Sequence, residues 1–204
     1  MVDRVEPLTL DDWPAFERLF GKNGACMGCW CMYWRLPRKE YEAARGAAAK
    51  RMFKERVKTG PPPGVVAFEG EEAVGWLQIG PRRDTPQWNT PKRLSAPLEA
   101  NDAEDAGVWG ATCFFVKPGR RRQGVSSALL KAGVAFARAS GARAVEACPA
   151  DPVGRMDNVS LYVGHASVFR RAGFKEIARR KDNRPLMRLE LAGSQRRRAA
   201  SASS

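Results

Sequence analysis

Between positions 113 and 130 the chain reads Cys113-Phe114-Phe115-Val116-Lys117-Pro118-Gly119-Arg120-Arg121-Arg122-Gln123-Gly124-Val125-Ser126-Ser127-Ala128-Leu129-Leu130. An apolar, strand-like run gives way to a basic turn and then directly to a helical pattern. That order aims the free backbone N–H groups of a helix start at one point, which suits an anion and above all a pyrophosphate. Gly124 has no Cβ to hold phosphate oxygens off the amides, and Ser126 and Ser127 are small and bring hydroxyl donors. The neighbouring arginines act in the same direction as the helix dipole. A solvated basic turn without a ligand is the alternative reading of the same residues. The spacing of a Walker loop is absent, and so is the three-glycine dinucleotide fingerprint.

A second dense segment is Cys26-Met27-Gly28-Cys29-Trp30-Cys31-Met32-Tyr33-Trp34-Arg35. Cys26, Cys29 and Cys31 are spaced closely enough to ligate zinc, with Cys113, Cys148 or His165 as a fourth ligand, but this is half a site because no second close pair exists. We therefore assign no metal. Packing of small and large hydrophobes explains the same residues, with Trp30, Tyr33 and Trp34 also free to line an apolar or cation-binding pocket. His165, the only histidine, reads as a helix-surface residue, because no nucleophile and acid pattern accompanies it.

The elements that must position these residues follow from periodicity. Residues 2–7 read as a strand, and a helix follows that carries Trp13, Phe16, Leu19 and Phe20 and stops at Gly21. Residues 38–58 predict one helix, ended by Gly60-Pro61-Pro62-Pro63. Residues 65–68 and 73–79 predict a hairpin, and 81–107, with four prolines, a long loop or lid with at most short helices. A strand at 108–116, the basic turn at 117–124 and a helix at 125–139 come next. A short strand at 144–148, a loop to about 158, a helix ending at Ala172-Gly173 and a strand pair at 174–178 and 186–191 complete the pattern. Residues 193–204 read as a basic, Ala/Ser-rich disordered tail, which leaves one domain over 1–192.

The chain has 204 residues, enough for one full core, and a net charge of +13 that attracts phosphates of any kind. No apolar run is long enough to span a membrane, and residues 1–6 lack the apolar stretch of a secretion signal. Five cysteines are too few for a disulfide scaffold, so a cytoplasmic setting is expected. A nucleic-acid-binding protein is the rival class, with arginines at 82, 83, 120–122 and 196–198 and the Trp-rich segment as a stacking surface. No helix-turn-helix, RNP or paired zinc-finger signature accompanies them, which argues against it.

Arg121-Arg122-Gln123-Gly124-Val125-Ser126 resembles the acyl-coenzyme A signature of the GCN5-related N-acetyltransferase (GNAT) family, Gln/Arg-x-x-Gly-x-Gly/Ala. Arg170-Arg171-Ala172-Gly173-Phe174 resembles that family's helix-to-strand ending, and the order of elements follows the same plan. The resemblance implies an α/β single domain with a mixed, mostly antiparallel sheet flanked by helices and splayed central strands. It implies acetyl-coenzyme A as acyl donor, with the pantetheine arm against Phe114, Phe115 and Val116. The pyrophosphate would lie on the amides of Arg121, Arg122, Gln123, Gly124, Val125, Ser126 and Ser127. A primary amine, on a small molecule or a protein, would attack the acyl carbonyl directly and must be neutral to do so. A homodimer is compatible with the pattern.

Two departures from the family pattern bear on chemistry. Ser126 replaces the usual Gly or Ala, and Phe169 stands where many members carry the tyrosine that protonates the leaving thiolate. Tyr162, Ser167, water or solvent would then supply that proton, or the chain would bind acyl-coenzyme A as a sensor without turnover. No carboxylate lies in strand 108–116, and Glu146 on the next strand reads as a salt-bridged surface residue rather than a base. The catalytic residues stay unassigned from sequence.

Overall fold

The computed structural model describes residues 1–152 and 160–191. Seven strands form one sheet: β1 (Arg4–Pro7), β2 (Gly64–Glu69), β3 (Glu72–Pro81), β4 (Val108–Val116), β5 (Ala144–Ala147), β6 (Lys175–Arg179) and β7 (Pro185–Glu190). Their order is β1-β2-β3-β4-β5-β7-β6, and every neighbouring pair is antiparallel except β4 and β5. The helices are α1 (Trp13–Phe20), α2 (Arg38–Ala44), α3 (Ala47–Thr59), α4 (Val125–Ala139) and α5 (Ala166–Arg171). No described helix is long and apolar enough to cross a membrane.

The two-residue side-chain period of the strands sorts the core into two layers. Val65 and Ala67 of β2 and Leu77 and Ile79 of β3 meet Leu129, Leu130 and Val134 of α4 on one face. Val66, Phe68 and Trp76 meet Trp13, Phe16 and Phe20 of α1 and Phe53 of α3 on the other. Helix α4 lies close to β3 because of Gly75, where a Cβ would stand 2.7 Å from Val125 Cγ1. This pins the start of α4 over the middle of the sheet.

β4 and β5 pair only from Val108–Gly110 against Ala144–Glu146, so among the described residues β4 beyond Gly110 has no strand partner on that side. The central strands therefore part, as the fold class requires. On its other side Gln78 stands opposite Cys113 and Ile79 opposite Ala111, which leaves Thr112 as the extra residue of a β-bulge.

One expectation from periodicity is corrected. The single helix over 38–58 is two helices broken at Arg45 and Gly46, because Gly46 takes φ 86° and its N–H bonds to Gly28 O at 2.9 Å, tying the break to the cysteine-rich loop. The segment 81–107 is a long loop with short helices, as expected. It carries short 3-10 helices at Arg82–Asp84, Pro86–Trp88 and Ala100–Ala103, and its Arg82 and Trp88 are buried. Arg82 ion-pairs with Glu146, donates to Ser95 O at 2.6 Å and stacks its guanidinium on Trp88 at 4.3 Å. Glu146 is thus ion-paired as expected but is a buried residue, 1% exposed, and it also accepts from Arg188 at 2.9 Å.

The helix expected to end at Ala172-Gly173 is α5, which is capped at Ala172 and preceded by a 3-10 turn over Ser160–Val163. Most of the expected loop before it and the tail at 193–204 lie outside the described residues, as does the end of the expected domain at 192.

Candidate functional site

Two cavities open where β4 leaves β5. The larger, about 700 Å³, follows the exposed edge of β4 and runs onto the start of α4. Phe114, Phe115 and Val116 form its strand wall, and Arg121, Arg122, Gly124, Val125, Ser126 and Ser127 form its basic end. Nine of the ten residues singled out in sequence are thereby brought together. The tenth, Gln123, is turned away and uses its Nε2 to donate to Gly119 O at 3.1 Å, closing the turn from outside.

The local conformation follows from residue type. Arg122 takes φ 64° and Gly124 φ 80°, so the turn bends through two left-handed residues, a shape that converges N–H groups on one point. Gly124 accepts from the N–H of Ser127 at 3.0 Å, and the amides of Val125 and Ser126 at the helix start have no intrahelical acceptor. Arg120 also lines the cavity while pairing with Glu69 at 2.7 Å. Sequence reasoning named Tyr162 as a candidate proton donor and His165 as a surface residue, but not the opposite wall that they form with Gly164, Val168 and Arg171. His165 is exposed at the N-cap of α5, consistent with a surface position. A basic, exposed Arg171 just before Ala172-Gly173 was the signal for this wall, but its facing depends on how α5 docks.

The smaller cavity, about 390 Å³, lies on the other side of Phe115 and Tyr162, which line both. Phe20, Tyr33, Trp34 and Tyr41 contribute aromatic wall, and Cys26, Cys29, Cys31 and Cys113 contribute thiols. Trp30, grouped with Tyr33 and Trp34 in sequence, is instead buried between Trp13 and Phe20, with ring centroids at 6.2 and 5.5 Å. Among the described residues no three His, Cys, Asp or Glu side chains converge to hold a metal. Cys31 Sγ accepts from Trp76 Nε1 at 3.0 Å, and Cys148 lies apart beside Arg184. Burial pushes the Cys29 thiol up to about 12 and raises Cys31 as well, so both stay protonated and behave as hydrophobes.

Tyr162 is the one described phenol common to both cavities. Its ring lies nearly parallel to Phe115, centroids 6.2 Å apart, and its hydroxyl is 3.5 Å from Ala25 O. Burial, with the neighbouring Cys26 thiol, pushes its pKa up to about 12. Phe169 lines neither cavity, being packed edge-on against Phe114 and Phe174 in the core. Ser167 is exposed on α5 and borders neither cavity. Glu146 is engaged by Arg82 and Arg188 away from both.

The geometry also weakens the nucleic-acid alternative. Arg82 is fully buried and cannot meet a phosphate backbone, and Trp30 is buried rather than free to stack on bases. The arginines at 196–198 lie outside the described residues.

The profile of the Acetyltransferase (GNAT) family matches residues 30–162. No curated protein sequence matches the chain. Among solved structures, a GCN5-related N-acetyltransferase from Kribbella flavida shares 17% identity, covering 92% of this chain and 97% of its own, with a TM-score of 0.53. A structure from Corynebacterium glutamicum, described as histone acetyltransferase HPA2 and related acetyltransferase, shares 19% identity over 95% of this chain and 99% of its own, with a TM-score of 0.52. The PH1933 protein of Pyrococcus horikoshii shares 15% identity over 93% and 99%, with a TM-score of 0.51. At these identities the likenesses speak to the fold, a mostly antiparallel sheet flanked by helices. The family match spans more than half of the sequence, and on that ground the chain belongs to the GNAT family of acetyltransferases.

Proposed function

We propose that the protein moves the acetyl group of acetyl-coenzyme A to a primary amine by direct attack in a ternary complex. The observation that carries this reading is the junction of two unlike cavities at Phe115 and Tyr162. One is long, with a basic anion-suited turn at its end, and the other is smaller and mostly apolar. A thioester at the junction would present its carbonyl to whatever fills the smaller cavity.

In this reading the amides and charges from Arg121 to Ser127 hold the pyrophosphate, and the open edge of β4 at Phe114, Phe115 and Val116 holds the pantetheine arm. The amine nitrogen bonds to the acetyl carbon, the carbon–sulfur bond breaks, and the proton lost from nitrogen balances the one gained by the sulfur. Tyr162 is the donor that meets the thiolate, taking the place that Phe169 leaves unfilled. With its pKa pushed to about 12 it is protonated at every working pH and always offers a hydrogen bond. The five free cysteines fit a reducing, cytoplasmic setting, and the domain is taken as 1–192.

The test is release of coenzyme A thiol from acetyl-coenzyme A, with and without a panel of primary amines. Amine-dependent release supports the reading. Saturable donor binding with no release for any amine would instead favour a sensor, and binding of RNA alone, lost at high salt, would overturn both.

A further inference from the structure

The smaller cavity contains polar atoms with unmet needs. Both carboxamide atoms of Gln78 and the hydroxyl of Thr112 are buried without a hydrogen-bond partner among the described residues, although each side chain is only 1% exposed. Both residues line this cavity and both belong to the bulge where β3 faces β4. Buried polar groups are ordinarily paired, so two orphans on one cavity wall point to a ligand that pairs them.

The rest of the lining says what kind of ligand. Phe20, Trp34 and Phe115 offer apolar and aromatic surface, and Arg45 at the exposed rim is the only fixed charge among the described lining residues. An ammonium entering such a site loses water and gains no described carboxylate, so its uncharged form is favoured. A neutral amine has two N–H donors for the Gln78 amide oxygen and the Thr112 hydroxyl, and it keeps its lone pair for the carbonyl carbon. A volume near 390 Å³ is at the small end of ligand pockets.

We propose that the acceptor is a small monoamine with an aromatic or aliphatic body, bound as the free base against Gln78 and Thr112, and that a second cationic group bars a molecule from this cavity. The proposal rests on the acetyl-transfer reading above and names the substrate class of that site.

The experiment measures thiol release by the full chain with 2-phenylethylamine, hexylamine, spermidine and a lysine-containing peptide. The expected result is kcat/KM for the two monoamines at least about tenfold above that for spermidine and the peptide. Gln78→Leu and the near-isosteric Thr112→Val should each lower kcat/KM for the monoamine by about 10- to 100-fold. Both should keep the thermal shift given by acetyl-coenzyme A, which reports an intact fold and donor groove. Preference for spermidine or the peptide overturns the proposal, and so do unchanged amine kinetics in both variants. Absence of any acetyl-coenzyme A shift in the unmodified protein would instead overturn the donor reading on which it rests.

Discussion

Gly124→Val separates the phosphate turn from the fold around it. Gly124 opens α4 at φ 80° and ψ −1°, a left-handed conformation that costs an ordinary side chain about 1–2 kcal/mol. A Cβ at this position meets no heavy atom within 4 Å, so the backbone conformation is the main cost of adding a side chain here. In a chain of this size the cost lowers Tm by about 2–8 °C. Binding is affected more severely, because the new isopropyl group stands where phosphate oxygens must approach the amides. Acetyl-coenzyme A at a hundredfold excess over Kd should stabilise the unmodified protein by about 2.7 kcal/mol, which raises Tm by about 5–11 °C. The variant should unfold cooperatively at its lowered midpoint and show no ligand shift. Thermal unfolding with and without donor, supported by titration calorimetry, reads both quantities. A variant that keeps the full shift would refute the assignment of this turn to the pyrophosphate.

Tyr162→Phe should lower kcat by about 100-fold while leaving donor affinity unchanged. Because the phenol is held near 12, it stays protonated as pH rises from 7 to 10, so the rate should climb with deprotonation of the amine and show no falling limb below about pH 11. A limb centred near 10 would count against the role. Phe169→Tyr should not rescue that variant. Its ring is 0% exposed and lines neither cavity, so an added hydroxyl is buried among Phe114 and Phe174 at a cost of about 1–3 kcal/mol, measurable by urea unfolding. Glu146→Ala leaves Arg82 buried without its carboxylate and should destabilise by about 3–5 kcal/mol, or about 6–20 °C in Tm, with kcat of the folded protein nearly unchanged. Lost kcat at an unchanged Tm would return Glu146 to the role of base.

The parts of this site that were legible in sequence are those whose physics is local. The turn from Arg121 to Ser127 combines strand end, glycine, small residues and helix start within a few positions, so its shape can be read without knowing what faces it. Tyr162 and Gln78 are different. Tyr162 was one of several candidate proton donors in sequence, and what sets it apart is a 3-10 turn late in the chain that returns across β4 to stack on Phe115, a return that nothing in its neighbours announces. Gln78 did carry a signal, a lone amide in the otherwise apolar run Val74-Gly75-Trp76-Leu77-Gln78-Ile79, but its meaning needed the bulge at Thr112. The packing of 81–107 was hidden for a related reason. Polar, proline-rich sequence looks like surface until Glu146, far along the chain, takes Arg82 inside.

The two cavities apply opposite uses of charge, and the proposed reaction needs both. At the α4 end, fixed positive charge and oriented amides suit a pyrophosphate that never loses its own charge. At the bulge, the acceptor must shed a proton before it can attack, and a carboxylate beside it would hold that proton on. Neutral partners at Gln78 and Thr112 give the amine hydrogen bonds without that penalty, and aromatic walls remove the water that stabilises the ammonium. Positive charge on the donor side acts in the same sense, since an arginine near the junction also disfavours a second cation there. Arg121 bears on Tyr162 in this way, drawing its pKa down against the effect of burial. Among the described residues no carboxylate lines the smaller cavity, and in the proposed reaction the environment built by β3, β4 and the cysteine-rich loop itself favours the free amine.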